Sequence, residues 1–239
     1  MQQKFLPGRF ILVITLLLGL SACAELDKLR QQLDSRQGLS QAEIGDGLKE
    51  ALRVGSNTVV SQLGRHNGFN HDRVAHIGLP DNLDKVRNAL KKIGYSQELD
   101  RLETRLNRAA EQATPKARAL FINAIRQLTW QDVKQIYNGP DDAATRYFQA
   151  SMSPSLRKEM QPVISQALAE VGVIQSYESV MAKYRSLPFV PDVRADLTDY
   201  TIDKSLSAIF YYLAREEAAI RKDPAKRTTQ LLRRVFGTM

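Results

Sequence analysis

The sequence predicts an all-α body: a single compact domain of about ten helices behind an N-terminal lipidated tether. Three observations carry this. Apolar residues recur at spacings of three and four along most of the chain. Ser, Thr or Asp precedes many of these stripes and Gly or Pro follows, the punctuation of capped helices. Paired runs of alternating β-branched residues, which a sheet needs, do not occur. With 239 residues, 43% of them hydrophobic and 25% charged, the chain is long enough for one sizeable core. A single Cys excludes a disulfide scaffold and a Cys-based zinc cluster.

The first segment reads as an address. Lys4 and Arg9 precede the apolar run Ile11–Leu20, which as a helix spans roughly 15 Å, half of a ~30 Å hydrocarbon core. That is too short for a membrane span and suits an export signal. Leu20-Ser21-Ala22-Cys23 resembles the lipobox of bacterial lipoproteins. The resemblance implies a diacylglyceryl group on the Cys23 thiol, cleavage before Cys23 and acylation of the new amino group. Ala rather than Asp at position 24, compared with enterobacterial sorting, implies the outer membrane rather than retention at the inner one. Residues 1–22 hold two of the 34 basic residues and none of the 26 acids, so the remainder carries a net charge of +6. Its basic residues are dispersed among acids at helical spacing, the pattern of a solvated helical surface.

The domains are therefore a signal at 1–22, a tether at 23–39 and an all-α body at 40–239. Leu26, Leu29 and Leu33 give the tether a thin helical stripe. Ser40-Gln41-Ala42-Glu43 is a capping box ahead of a helix to about Leu63. Residues 64–80 form the longest irregular stretch and hold all three histidines. Helices follow from Asp81 to Gly94 and from Ser96 through Leu106. Thr114-Pro115 opens the next, by a cap and a proline at the first helical position, and Thr129 opens another, which ends at Gly139-Pro140. Asp141 or Asp142 caps a helix through Phe148, and Ser153-Pro154 opens one that Pro162 kinks or divides. A helix around Tyr177–Tyr184 leads to Ser186–Pro191, an extended connector on account of its prolines. The longest helix begins near Asp196 or Thr198. Asp223-Pro224 caps the last, which Gly237 stops. The pieces 74–79 and 186–190 are candidates for a two-stranded ribbon.

Several blocks identify the chain more closely. They are Gly47–Gly55, Leu79-Pro80, Asn107-Arg-Ala-Ala-Glu111, Asn138-Gly-Pro-Asp-Asp-Ala-Ala-Thr-Arg-Tyr-Phe148, Ser186-Leu-Pro-Phe-Val190 and the terminal stretch from Asp199 to Gly237. Together, over nearly all of residues 39–237, they resemble the bacterial domain-of-unknown-function 4197 family. The resemblance implies a helical exported protein, often a lipoprotein, of Gram-negative bacteria. It carries no activity, ligand or catalytic residue.

His66, His71 and His76 are spaced by five, which places them on no common helical face, so they read as exposed loop histidines rather than metal ligands. No nucleophile elbow, Walker loop, dinucleotide fingerprint or HExxH is present. The candidate ligand-binding site is a polar corner: Asp141, Asp142, Arg146 and Tyr147 with Glu216, Glu217, Arg221, Asp223, Arg227 and Thr228. Two readings stay open for it. Local helix caps and i,i+4 pairs account for much of it, and each block also carries more charge than its own capping needs. The expected function is that of a lipid-anchored, periplasm-facing binding or scaffold protein of the envelope, with no cofactor, no metal and no nucleic-acid partner. An envelope protein or an anionic ligand is the expected partner. The alternative is an envelope hydrolase using paired carboxylates such as Glu216 and Glu217.

Overall fold

The computed structural model describes residues 38–237; the expected export signal, the expected lipidation site Cys23 and the expected tether stripe lie outside them. Among the described residues the chain forms eight α-helices and no strand. They are α1 (Gln41–Leu63), α2 (Asp81–Lys91), α3 (Gln97–Gln127), α4 (Trp130–Tyr137), α5 (Ala143–Glu170), α6 (Val173–Arg185), α7 (Leu197–Lys222) and α8 (Gln230–Phe236), with a 3-10 turn at Pro224–Lys226. No described helix is long and apolar enough to cross a membrane.

The long helices α1, α3, α5 and α7 make the core. α3 packs on α1, α5 and α7, and α7 also packs on α1 and α5. The stripes read from the sequence are largely the faces that meet: Leu48, Leu52 and Val59 of α1, Leu102, Leu106 and Ile125 of α3, and Ile202, Ile209 and Leu213 of α7 are all buried. α2 and α6 lie against each other on one flank; α4 and α8 both rest on α1. Gly47 permits the last of these contacts, since a Cβ there would fall 2.4 Å from a Val235 methyl.

Fewer helices form than the prolines suggest. α3 runs through Thr114-Pro115 and α5 runs through both Pro154 and Pro162, so four expected segments merge into two helices. An internal proline removes one helical hydrogen bond and costs about 3 kcal/mol on an isolated helix. Here both helices are locked into the core on either side of the proline. Thr114 donates its hydroxyl to the Ala110 carbonyl at 2.7 Å, and Ser151 and Ser153 do the same to Tyr147 and Gln149. The Pro115 ring also has a seat, because Gly64 opposite it has no side chain.

Three further expectations are corrected. Asp223 caps only the 3-10 turn, through the Ala225 N–H at 2.9 Å, and α8 starts later behind Thr229, which accepts from the Leu232 N–H at 3.2 Å. Ser186–Phe189 is a turn rather than an extended connector, with Phe189 in the left-handed region at φ 58°. No ribbon joins it to residues 74–79, because the latter spend their backbone groups on α3: Asn107 donates to the Ile77 carbonyl at 2.8 Å and accepts from the Ile77 N–H at 2.9 Å.

Candidate functional site

The polar corner is built where the C-terminal half of α7 passes the end of α4 and the start of α5. Glu217 and Arg221 lie one turn apart on the inward face of α7, and their side chains are 5% and 6% exposed. Glu217 reaches the first turn of α5. One carboxylate oxygen accepts from the Ala144 N–H at 3.0 Å; the other accepts from the Thr145 N–H and the Thr145 hydroxyl, both at 2.9 Å. The helix start that Asp142 was expected to cap is therefore capped by a carboxylate from another helix. Asp142 makes no side-chain cap and instead holds Arg146 at 2.9 Å on the surface.

Arg221 serves the opposite end of a helix. Its guanidinium donates to the carbonyls of Ile136 at 2.9 Å and Tyr137 at 3.3 Å, closing α4, and to Glu217 at 3.1 Å. The Phe236 ring of α8 lies 6.0 Å from its Cζ. Arg227 in turn closes α7, donating to the carbonyls of Ile220 at 3.1 Å and Arg221 at 2.8 Å. Each group thus meets an unsatisfied helix end, the N–H groups by an anion and the carbonyls by a cation, as the helix dipole favours.

The structure brings Glu217, Arg221 and Arg227 together and leaves the other corner residues around them. Glu216, next to Glu217, points away and pairs with Lys226 at 3.1 Å. Asp141 pairs with Lys222 on the surface. Asp223 serves the 3-10 turn and Thr228 is exposed beyond it. Tyr147 is half-buried, and its hydroxyl is pushed above the usual tyrosine value by burial and by its hydrogen bond to Asp132.

Space decides what this arrangement can do. The cavity that touches Glu217 and Arg221 measures about 10 Å³ and is otherwise walled by apolar residues such as Leu48, Leu52 and Phe236. A single water needs about 10–15 Å³, so no substrate reaches the buried pair. A larger groove of about 430 Å³ opens on the outer side, between the end of α4 and the start of α5, lined by Gln135, Ile136, Gly139, Pro140, Ala143, Arg146, Tyr147 and Ala150. The corner thus separates into a buried structural knot and an outer groove that carries one guanidinium and one phenol.

Sequence reasoning missed a second buried polar centre. Glu111 of α3 accepts from the N–H groups of Phe69 and Asn70, both at 3.1 Å, and from Arg108 at 2.5 Å. With Asn107 it fastens the 64–80 stretch, where Phe69 and Ile77 are fully buried. Asp72 adds a third tie, accepting from the Tyr212 hydroxyl at 2.6 Å. The block Asn107–Glu111 was the available signal, since it stood out in the family resemblance while Asn107 and Glu111 fall on the buried face of α3. The three histidines are exposed, and His76 braces this loop by bridging the Asn70 carbonyl at 3.0 Å and Glu103 at 2.8 Å. Tyrosines after residue 170 go to different partners: Tyr184 is buried, Tyr177 accepts from the Ala195 N–H, and Tyr200 donates to the Gly78 carbonyl. Tyr211 accepts from Arg215.

No curated protein and no solved structure matches the chain. A family model described as "Protein of unknown function (DUF4197)" matches residues 38–237, the whole described body. The helices, the knot and the stapled loop all lie inside that span, and the chain belongs to the DUF4197 family.

Proposed function

We propose that this chain is a lipid-anchored, periplasm-facing binding or scaffold module of the bacterial envelope, attached at Cys23 to the outer membrane. The observation that carries the binding reading is how its acids are used. Glu217 spends both oxygens on Ala144, Thr145 and Arg221, and Glu216 is held by Lys226. A hydrolase would need one of them free, within reach of a substrate and with a proton to give or take. The outer groove beside Arg146 and Tyr147 is the place for a ligand, and its one guanidinium suits an anionic group. The lipobox Leu20-Ser21-Ala22-Cys23 supports the anchor. Two or three acyl chains hold stably where one is marginal, at about 0.8 kcal/mol per buried methylene.

Two measurements test the two halves of the reading. Palmitate should label the wild-type chain and leave Cys23→Ser unlabelled; equal labelling removes the anchor. A photo-crosslinking residue at Ala150, in the groove, should give one discrete adduct in living cells that is lost with Arg146→Glu. An adduct pattern unchanged by Arg146→Glu, or none at all, removes the groove as the binding site.

A further inference from the structure

The turn between α6 and α7 carries the most exposed apolar side chain of the described body. Phe189 is 104% exposed, so its ring touches essentially nothing. Its backbone sits at φ 58°, a conformation that L side chains adopt at a cost. Pro188 and Pro191 flank it, so the ring is presented by a stiffened turn rather than a loose one. An exposed aromatic ring on a strained, proline-braced turn has no folding reason to be there.

Its surroundings say what it meets. Lys183 and Arg185 end α6 just before the turn. The Lys183 ammonium lies 5.9 Å from the ring of Tyr95, which joins this turn to the end of α2. That end is a tight turn, with Tyr95 donating to the Leu90 carbonyl at 2.9 Å, and it holds exposed Lys91, Lys92 and Ile93. Ile93 is itself 46% exposed. None of Lys91, Lys92, Lys183 and Arg185 is paired with a carboxylate among the described residues, and the nearby Asp192 is engaged by Arg194. The two turns, linked by Lys183 and Tyr95, together carry two exposed apolar side chains and four cations that no described carboxylate pairs.

We propose that this patch is a lipid-docking tip: Phe189 and Ile93 enter the headgroup–acyl boundary of an anionic bilayer while Lys91, Lys92, Lys183 and Arg185 meet its phosphates. Apolar insertion and attraction to anionic lipid together are what interfacial binding requires. A protruding ring with no surrounding groove suits a soft lipid surface, which needs no matching shape. The inference rests on the lipid-anchored reading only in that the anchor brings the body to a membrane; the tip itself uses separate residues.

The test places a reporter at the tip. Phe189→Trp, combined with Trp130→Phe to remove the native indole, is made in the full chain and reconstituted into phosphatidylethanolamine–phosphatidylglycerol vesicles with brominated acyl chains. The indole should be quenched as if roughly 5–10 Å below the headgroup surface. Lys91→Glu with Lys92→Glu should shift the inserted-to-lifted ratio by at least about fivefold for each cation lost, and added salt should act in the same direction. Circular dichroism checks that each variant is folded. A blue-shifted but unquenched indole places the ring in a protein pocket and overturns the inference, as does quenching indifferent to both charge and salt. An acylated chain with an unquenched tip sinks this inference alone. A Cys23→Ser chain that is labelled by palmitate like wild type, yet quenched at the tip, sinks the anchor alone.

Discussion

Glu217 and Glu111 have side chains that are each 5% exposed, and each accepts two backbone N–H groups from a distant segment while holding an arginine of its own helix. The arginines differ. Arg221 is 6% exposed and spends its guanidinium on Glu217 and on two carbonyls at the end of α4. Arg108 is 25% exposed, bonds Asn67 at 2.7 Å beside the loop and keeps an open side to water. One glutamate joins three helices through a desolvated ion pair, and the other fastens a loop through a pair that water partly screens. The contrast teaches that burial of the acid alone does not set the energetic stake; burial of the cation that answers it does.

Arg221→Ala should therefore be the most damaging change. It strands the Glu217 carboxylate and two α4 carbonyls, a loss of about 3–5 kcal/mol in urea denaturation. Arg221→Lys should lose most of the same stability, because an ammonium cannot reach three acceptors in the plane of a guanidinium. A Lys variant as stable as wild type would mean that charge alone matters, and the distinction between the two centres would shrink. Glu111→Gln comes next, at about 1–3 kcal/mol, since the amide keeps one acceptor for Phe69 and Asn70 but loses the charge. Its mark is local: amide exchange at Phe69 and Asn70 should quicken before the helices open. Uniform loss of protection across the body would show instead that the loop and the helical core unfold as one.

The Asp72–Tyr212 tie sets the pH limits of the loop. Burial raises the Asp72 carboxyl, but the Tyr212 hydroxyl, the N–H groups of Ala75 and Val74 and the charge of Arg65 outweigh it and hold it below the usual value. Burial first, then the hydrogen bond to Asp72 and its charge, push the Tyr212 hydroxyl up to about 12. A depressed carboxyl stabilises above its unfolded value and is lost as pH falls through the folded one; a raised phenol stabilises below about 10 and is lost as pH rises through about 12. Tyr212→Phe should cost about 1 kcal/mol after allowance for screening, and should move the acid transition of the loop upward. An acid transition that does not move in this variant would separate Asp72 from the loop's stability. Arg146→Ala should be the mildest change, within about 0.5 kcal/mol, because that side chain is 68% exposed and pairs only with Asp142. A larger cost would move the surface pair into the knot.

The sequence made most of the helices legible because their apolar stripes are the faces that pack: Leu83, Val86 and Leu90 of α2 and Val180, Met181 and Tyr184 of α6 all lie inside. Local rules failed where a distant group replaced the local partner. Proline rules divided α3 and α5, yet neither divides, because core contacts on both sides outweigh one lost bond. Asp142 looked like the cap of α5 because it precedes the helix, whereas the true cap lies 73 residues on from Ala144. Glu217 and Arg221 read either as a local i,i+4 pair or as part of a denser polar corner, and nothing in their spacing decides between exposure and burial. Glu111 and Asn107 likewise fall among charged neighbours on α3, and only the fold reveals that their targets are the backbone of another segment.

The close approach of Gly47 and Val235 has a consequence for how the chain is made. α1 precedes the other described helices and α8 follows them, so part of a face made early is covered by residues synthesised much later. Leu48 and Leu52 share their cavity with Phe236, next to the end of the described body. A nascent chain cannot complete the cover of that face with local contacts, and the part that faces α8 waits until α8 emerges. Premature termination before residue 230 would leave the Gly47 and Leu48 part of that face without its α8 cover. A binder that recognises the uncovered part could therefore tell a chain that lacks α8 from one that has it.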